Sequence, residues 1–448
     1  MITTSVKRLP AENGVSGWEA ISKRSLPVRS LEGNVTADWL IIGAGFAGLS
    51  AARRLLQLRP DDNIVVLEAS EVGKGTSGRN SGFMIDVPHN LSSSEYSSGG
   101  LEASRLEMAQ NRAAIAFAKD AADEYGLSPE VFDPAGKINA AATARGMKLN
   151  ISFGRSLASA GEKHMFFDAR QMREITGCDY YLGGLFTPGA VLIQPADYVR
   201  ALAAGLSHKV HIFERSPVSF LTRQNGNWIA GSARGKVTAP NVILGVNGHI
   251  TDFGHFGGRL MHIFAYASMT APFAADDLGR RASGRDRWAL LPADAMGATV
   301  RKITSGGRSR IVIRTKYTYE TTITVSDRRM ARMAEEHRNS LDARFPGLKN
   351  IPFEHSWAGR LCLSRNHVPA FGALDDGLFS ACCENGLGTV KSTLAGMMAA
   401  ELATGTSSRR LEEYMDHPEP SRLPPEPFAW LGINSVIRFQ ELRAGREG

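Results

Sequence analysis

Three glycines in the stretch ADWLIIGAGFAGLSAARRLL, Ala37–Leu56, restrict what this chain can fold into more than any other feature. Gly43, Gly45 and Gly48 follow the short apolar run DWLIIGAG, which reads as a buried parallel strand. They lead into FAGLSAARRLLQLRP, which has helical periodicity and stops at Pro60. NIVVLEAS is a second buried strand, so the whole is a strand–helix–strand unit of about 30 residues. In such a unit the first glycine permits a tight bend and the second lets the backbone approach a pyrophosphate. The third lets helix and strand pack closely. The pyrophosphate sits at the helix N-terminus, where unpaired N–H groups and the dipole favour negative charge. Glu68 closes the second strand, 20 residues after Gly48. A carboxylate there accepts hydrogen bonds from both ribose hydroxyls of an adenosine and repels a 2′-phosphate. The unit predicts an ADP-bearing ligand and by itself does not separate NAD from FAD.

The separation comes from EVGKGTSGRNSGFM, Glu71–Met84. A loop this rich in Gly, Ser and Thr suits backbone and hydroxyl contacts to phosphates and a flat ring. Gly75, Gly78 and Gly82 permit close approach, and Arg79 or Ser77 can neutralise phosphate. A nicotinamide enzyme has no obvious need for this second loop, whereas a long ligand such as FAD, extended across the domain, has.

At 448 residues the chain is too long for one compact core, and two domains are expected. Hydrophobic residues are 43% and charged residues 22%, as in ordinary soluble globular proteins. The net charge of +7 is spread without a Lys/Arg-rich run, and the densest basic stretch, Arg301–Lys316, alternates like a half-buried strand. No nucleic-acid partner is expected. Four irregularly spaced cysteines, with no C-x-x-C pair, support neither zinc nor a disulfide framework. No run of about 18 apolar residues and no signal-peptide core occurs, so a cytoplasmic location without a membrane span is expected. LEASRLEMAQNRAAIAFAKDAADEY and QPADYVRALAAGLSHK read as helices, the first beyond the Ser/Gly-rich loop LSSSEYSSGG. Residues 210–248 read as a run of strands with a turn at Asn225-Gly226, 259–320 as longer antiparallel strands, and DRRMARMAEEHRNSLDARFP as an amphipathic helix. The Pro-rich tail segment HPEPSRLPPEPFAW reads as extended.

LIIGAGFAGLSAARRL, LEASEVGKGTSGRNSGFM and WAGRLCLSRNHVPAFGAL…NGLGTVKSTLAGMMAAELATG together resemble the FAD-dependent D-amino-acid oxidase superfamily. The closer likeness is to its γ-glutamylputrescine oxidase-like branch. The resemblance covers most of the chain and implies an α/β fold, with a Rossmann-type FAD-binding domain interleaved with an antiparallel-sheet (α+β) substrate domain. The expected FAD domain draws on residues 37–95, 190–250 and 355–410. The substrate domain draws on 96–189 and 251–354, with an N-terminal arm over 1–36 and a tail over 411–448. The resemblance places Gly43, Gly45, Phe46, Ala47 and Gly48 around the pyrophosphate, and Glu68 and Ala69 at the adenosine ribose. It places Thr76, Ser77, Arg79, Asn80 and Gly82 along the pyrophosphate, ribityl chain and flavin ring, and the Val218 backbone at adenine. Gly386, Leu387, Gly388 and Thr389 open the last helix toward the flavin pyrimidine edge, where a helix N-terminus stabilises the negative charge of reduced flavin. Lys391, one turn in, either adds to that charge or is a solvated helix lysine.

The chemistry implied is removal of a hydride from a carbon bearing an amine, leaving an imine that water hydrolyses. Such a reaction needs a neutral amine, a dry pocket and alignment, and no obligatory protein base. His262, Phe264 and Tyr266 alternate along one strand and are candidates for the pocket wall, as is Arg314, which either meets a substrate anion or is a paired surface arginine. Superfamily amino-acid oxidases often carry an Arg that clamps the substrate carboxylate. Anchored on Pro369, that position falls on Leu361, and Arg360 points to the other face. A simple α-amino acid is therefore disfavoured against a primary or secondary amine, or a substrate whose charge lies far from the reacting carbon. The position at which some relatives attach flavin covalently through cysteine falls on Gly359, so non-covalent FAD is expected. The vicinal Cys382-Cys383 is expected at the end of a buried strand. The main expectation is an FAD-dependent oxidase of a small-molecule amine or amino-acid derivative, with O2 as acceptor. A dehydrogenase passing electrons to a quinone or carrier protein and a flavin-dependent monooxygenase are the alternatives, and the oligomeric state is left open.

Overall fold

Two sheets of different character divide the molecule. The structure, a computed structural model, describes residues 3–88, 100–274 and 284–448. Most of the Ser/Gly-rich loop and the expected boundary at 95/96 lie outside the described residues. The first sheet has six strands, in the order Val210–Phe213, Ile64–Leu67, Trp39–Ile42, Asn241–Leu244, Leu378–Cys382 and Ala370–Asp375. The first five run parallel and the last is an antiparallel edge. Trp39–Ile42 and Ile64–Leu67 are buried along their whole length, the pattern of parallel strands covered on both faces. Helices Phe46–Leu58 and Gly388–Ala403 cover one face. They cross closely because Gly396 has no side chain: a Cβ there would stand 2.1 Å from the Ala47 carbonyl oxygen. Helix Gly100–Glu124 buries Ala114, Ala118 and Ala121 in the same core.

The other face carries a five-stranded sheet built on the meander Phe220–Gln224, Asn227–Gly231 and Gly235–Ala239. Its first turn is the expected Asn225-Gly226, both residues at positive φ (51° and 81°) as a two-residue hairpin demands. The N-terminal arm supplies both edges of this sheet, Thr3–Ser5 and Gly33–Thr36. Between them Trp18 is fully buried, its indole N–H donating to the Asn80 carbonyl at 2.8 Å.

The second large sheet has eight strands, ordered Phe353–Ser364, Leu260–Thr270, Arg308–Tyr319, Thr299–Ser305, Trp288–Pro292, Lys137–Ala141, Gly183–Thr187 and Met165–Asp168. All neighbours are antiparallel except Trp288–Pro292 with Lys137–Ala141. Helix Asp327–Arg344, N-capped by Ser326, packs on it. The proline-rich segment carries no helix or strand before Phe428, and after it comes a helix, Phe428–Ala444, that the sequence reading did not name. The prolines of the tail all precede it, and Ala429, Ile433, Ile437 and Ala444 recur on one face against the sheet. Asn434 accepts from the Tyr319 N–H and donates to its carbonyl, both at 3.0 Å, so a helix side chain completes the end of a strand ladder. Among the described residues no helix is long and apolar enough to cross a membrane.

Candidate cofactor and substrate site

One cavity runs along the carboxyl ends of the parallel strands and under the large sheet. Its first end is the glycine turn. Gly43, at φ +101°, leaves strand Trp39–Ile42 so close to the next crossover that a Cβ would stand 2.6 Å from the Gly245 carbonyl oxygen. Helix Phe46–Leu58 begins at Gly45 with no side-chain cap, leaving its N-terminal N–H groups facing the cavity. Ser77 reaches across from the second loop and accepts from the Phe46 N–H at 3.1 Å. Gly43, Gly45, Phe46 and Ala47 line the cavity. Gly48 does not: its hydrogen faces the turn, where a Cβ would lie 1.8 Å from the Gly43 oxygen. Glu68 and Ala69 line the wall beside the turn, and Val218 closes that end. The Glu68 carboxylate accepts from the Ala44 N–H at 2.9 Å and the Ser70 N–H at 3.0 Å, while burial raises its pKa.

The second loop enters as a 3-10 turn, Thr76–Gly78. Thr76, Ser77 and Asn80 line the cavity, and Asn80 ties the loop together by donating to the Ser77 carbonyl and accepting from the Gly82 N–H. Gly82 lies off the cavity at φ +76°, packed against the Ile193 carbonyl and Arg301. Arg79 lines the cavity as well, but its guanidinium is engaged with protein: it donates to the backbone carbonyls of Ala358, Gly14 and Asn13 and pairs with Glu12 at 3.4 Å. Backbone oxygens of the arm and of strand Phe353–Ser364 saturate it.

At the far end Gly386, Leu387, Gly388 and Thr389 line the cavity at the start of helix Gly388–Ala403, whose N-terminus also lacks a side-chain cap. The Thr389 hydroxyl is bound to the Phe83 carbonyl. Lys391 pairs with Glu107 at 2.8 Å and does not line this cavity. Of strand Leu260–Thr270, it is Ala265 and Ala267 that form the wall, so His262, Phe264 and Tyr266 stand on the opposite parity. His262 is packed under Gly248, and burial lowers its pKa to about 3. Tyr266 bonds Thr318 at 2.6 Å and is pushed up to about 12 by burial. Neither lines the cavity, whereas Arg314 does, together with Tyr317, Leu291, Pro292, Gly359 and Leu361.

Sequence reasoning left several contributors unassigned. Val6, Arg8, Pro10 and Glu12 of the arm roof the cavity, and Tyr317 and Asn247 border it. Arg360 reaches it beside His249. Glu384 is buried beside the last helix: one carboxylate oxygen accepts from the Cys362 N–H at 3.4 Å, and the other has no protein partner. Burial raises its pKa to about 7. A carboxyl with a folded pKa near 7 and an ordinary unfolded one binds more protons when folded. Stability is therefore expected to fall as pH rises from about 4.5 to about 7, by about 3 kcal/mol at most, and to level off above. E384Q should flatten that profile in a melting series; an unchanged slope would show that Glu384 titrates normally.

The cradle fits FAD. Two helix N-termini whose own N-cap residues offer no side-chain acceptor open on one cavity, a glycine turn admits no Cβ, and the Glu68 carboxylate stands beside it. A family profile described as FAD dependent oxidoreductase, DAO, matches residues 38–402. A probable oxidoreductase OrdL of Haemophilus influenzae is 26% identical over 385 residues, 83% of this chain and 84% of that protein. Gamma-glutamylputrescine oxidoreductase of Escherichia coli is 24% identical over 416 residues, 89% and 91% of the two chains. The crystal structure of glycine oxidase from Geobacillus kaustophilus superposes with a TM-score of 0.67 at 17% identity, over 86% of this chain and 100% of that one, which bears on the fold.

Proposed function

Because the chain belongs to the DAO family of FAD-dependent oxidoreductases, we propose that it oxidises the C–N bond of an amine or amino-acid derivative. FAD is held non-covalently, since Gly359 offers no thiol at the cavity wall. In this reading the cofactor unit draws on 37–95, 190–250 and 355–410 and the substrate unit on 96–189 and 251–354, except that helix Gly100–Glu124 packs on the cofactor unit's core and strand Phe353–Ser364 belongs to the eight-stranded sheet. The observation that carries this reading is the continuity of the cavity. It leads from the Glu68 end, past the N-terminus of helix Gly388–Ala403, to walls made of Ala265, Leu291, Pro292 and Leu361.

Bound FAD supplies acceptance of a hydride at N5 and return of both electrons to O2, which with two protons becomes H2O2. The substrate loses a hydride from carbon and a proton from nitrogen, and water hydrolyses the imine so formed. The chain's part is to make this easy. Apolar walls disfavour the ammonium form and so present the amine neutral. The helix N-terminus at Gly388 favours negative charge in the adjoining part of the cavity, by about 0.3–2 kcal/mol.

The test is anaerobic mixing of the holoprotein with a panel of primary and secondary amines. At least one is expected to bleach the flavin and, under air, to yield stoichiometric H2O2. A panel in which no amine bleaches it would overturn the reading. Bleaching without peroxide would move the acceptor to a quinone or carrier protein, and bleaching by NADPH alone would point to a monooxygenase.

A further inference from the structure

Helix Phe428–Ala444 is apolar on two faces. Ala429, Ile433, Ile437 and Ala444 pack against the eight-stranded sheet. The outward face is apolar as well. Fourteen large apolar side chains are exposed among the described residues, and six of them, Phe428, Trp430, Leu431, Val436, Phe439 and Leu442, lie on these 17 residues. Phe428, Phe439 and Leu442 are 67%, 65% and 68% exposed. At about 3.6 residues per turn, Phe428, Leu431, Ser435, Phe439 and Leu442 fall in one ridge about 20 Å long. Arg438 stands on one flank of that ridge and Arg443 on the other.

Charge is sorted in the same sense. Residues 421–448 hold four arginines and three glutamates, with no lysine or aspartate. The glutamates bind the fold. Glu426 accepts from the Tyr319 hydroxyl at 2.7 Å and the Trp430 N–H at 3.1 Å, and Glu441 accepts from the Tyr317 N–H. Glu447 is buried and accepts from the Ala142 and Thr143 N–H groups. The arginines, Arg422, Arg438, Arg443 and Arg446, are all exposed. Arg438 comes within 3.9 Å of Glu441, and Arg446 lies over the Tyr180 ring. The outer surface of the segment therefore joins bare apolar side chains to positive charge.

A second copy would bring the same arginines to this ridge and no acid to meet them. A protein partner would need an acidic groove to receive a convex helix. A bilayer needs no groove. It admits an apolar ridge along its length, and its anionic headgroups meet the flanking arginines, whose stems bury while the guanidinium groups reach the phosphates. We propose that helix Phe428–Ala444 docks the protein on an anionic membrane surface, lying in the interface without crossing it. Because the helix packs on strand Arg308–Tyr319, whose Arg314 and Tyr317 line the cavity, docking sets that wall one layer from the lipid.

The experiment is flotation of the FAD-loaded protein with vesicles of phosphatidylcholine, alone or in equal parts with phosphatidylglycerol. The protein is expected to float with the mixed vesicles at low salt, to release as salt rises, and to stay behind with phosphatidylcholine alone. R438Q and R443Q should each weaken binding about fivefold, and F439D at least about tenfold. These side chains are exposed, so flavin content and melting temperature should not change, which separates lost docking from lost folding. L442D tests the same ridge at a second exposed position. No flotation at low salt, or equal flotation with phosphatidylcholine alone, would refute the docking. So would flotation that F439D and L442D leave intact, which would reduce the face to a general polyanion contact. A dimer that F439D splits and that does not float would assign the ridge to a second copy and refute it too.

Discussion

G48A is expected to yield a chain that purifies without FAD and melts well below the unaltered protein. The added methyl would stand 1.8 Å from the Gly43 carbonyl oxygen, 3.0 Å from its carbon and 3.1 Å from the Ile41 Cγ2. Backbone lies on both sides of that contact, so no side chain can swing away. Helix Phe46–Leu58 must move off its strand by about an ångström, at a cost of about 1–3 kcal/mol or more. The displacement reaches the cavity directly, because the Phe46 N–H and the glycine turn move with the helix. It also strains the crossing at Gly396, where the opposing helix already touches the Ala47 carbonyl. Since bound ligand stabilises the folded state, loss of FAD deepens the loss of stability, and each 1.4 kcal/mol is about tenfold in affinity. Flavin content after purification and a melting curve with added FAD are the measurements. A yellow G48A protein with an unchanged melting temperature would mean that the turn does not need its third glycine.

What could be read before the structure was what depends on neighbours in the chain. The strand, glycine turn, helix and second strand from Trp39 to Leu67 are local and appear where expected. So does the Asn225-Gly226 hairpin, whose positive φ values are written in its residue types. The substrate wall was read with the wrong parity. Alternation along Leu260–Thr270 defines two faces and does not say which one meets the cavity, and bulk and polarity drew attention to His262 and Tyr266. The useful signal was the reverse: Ala265 and Ala267 are small, and small side chains on one face leave room for a ligand. Glu384 and Tyr317 carried no local signature, because their burial depends on elements far away in sequence. The tail helix escaped notice because the prolines before Phe428 coloured the reading of the proline-free segment after it.

Arg79 shows the same limit and supports the other large expected effect. A cation in a glycine-rich loop beside a phosphate site invites assignment to the phosphate, and the sequence alone cannot show that its partners lie 65 residues upstream and 279 downstream. In the structure it joins three segments: Gly14 accepts from it at 3.0 Å, Ala358 at 2.9 Å, and Glu12 is its ion-pair partner. R79M keeps much of the side-chain volume but leaves those carbonyls buried without donors, at about 1–3 kcal/mol each. The total is a large share of the 5–15 kcal/mol that typically holds a domain folded. The arm is expected to loosen first, because Arg79 is bonded to its backbone at both Asn13 and Gly14. With it the cavity loses the roof formed by Val6, Arg8, Pro10 and Glu12, so FAD affinity falls as a consequence. R79M should therefore expose the arm to limited proteolysis at FAD concentrations that still saturate the protein. R79K, with one point donor in place of a fork, should restore only part of the protection. If Arg79 acted on phosphate instead, R79M would weaken FAD binding while the saturated protein kept its arm as resistant to protease as before.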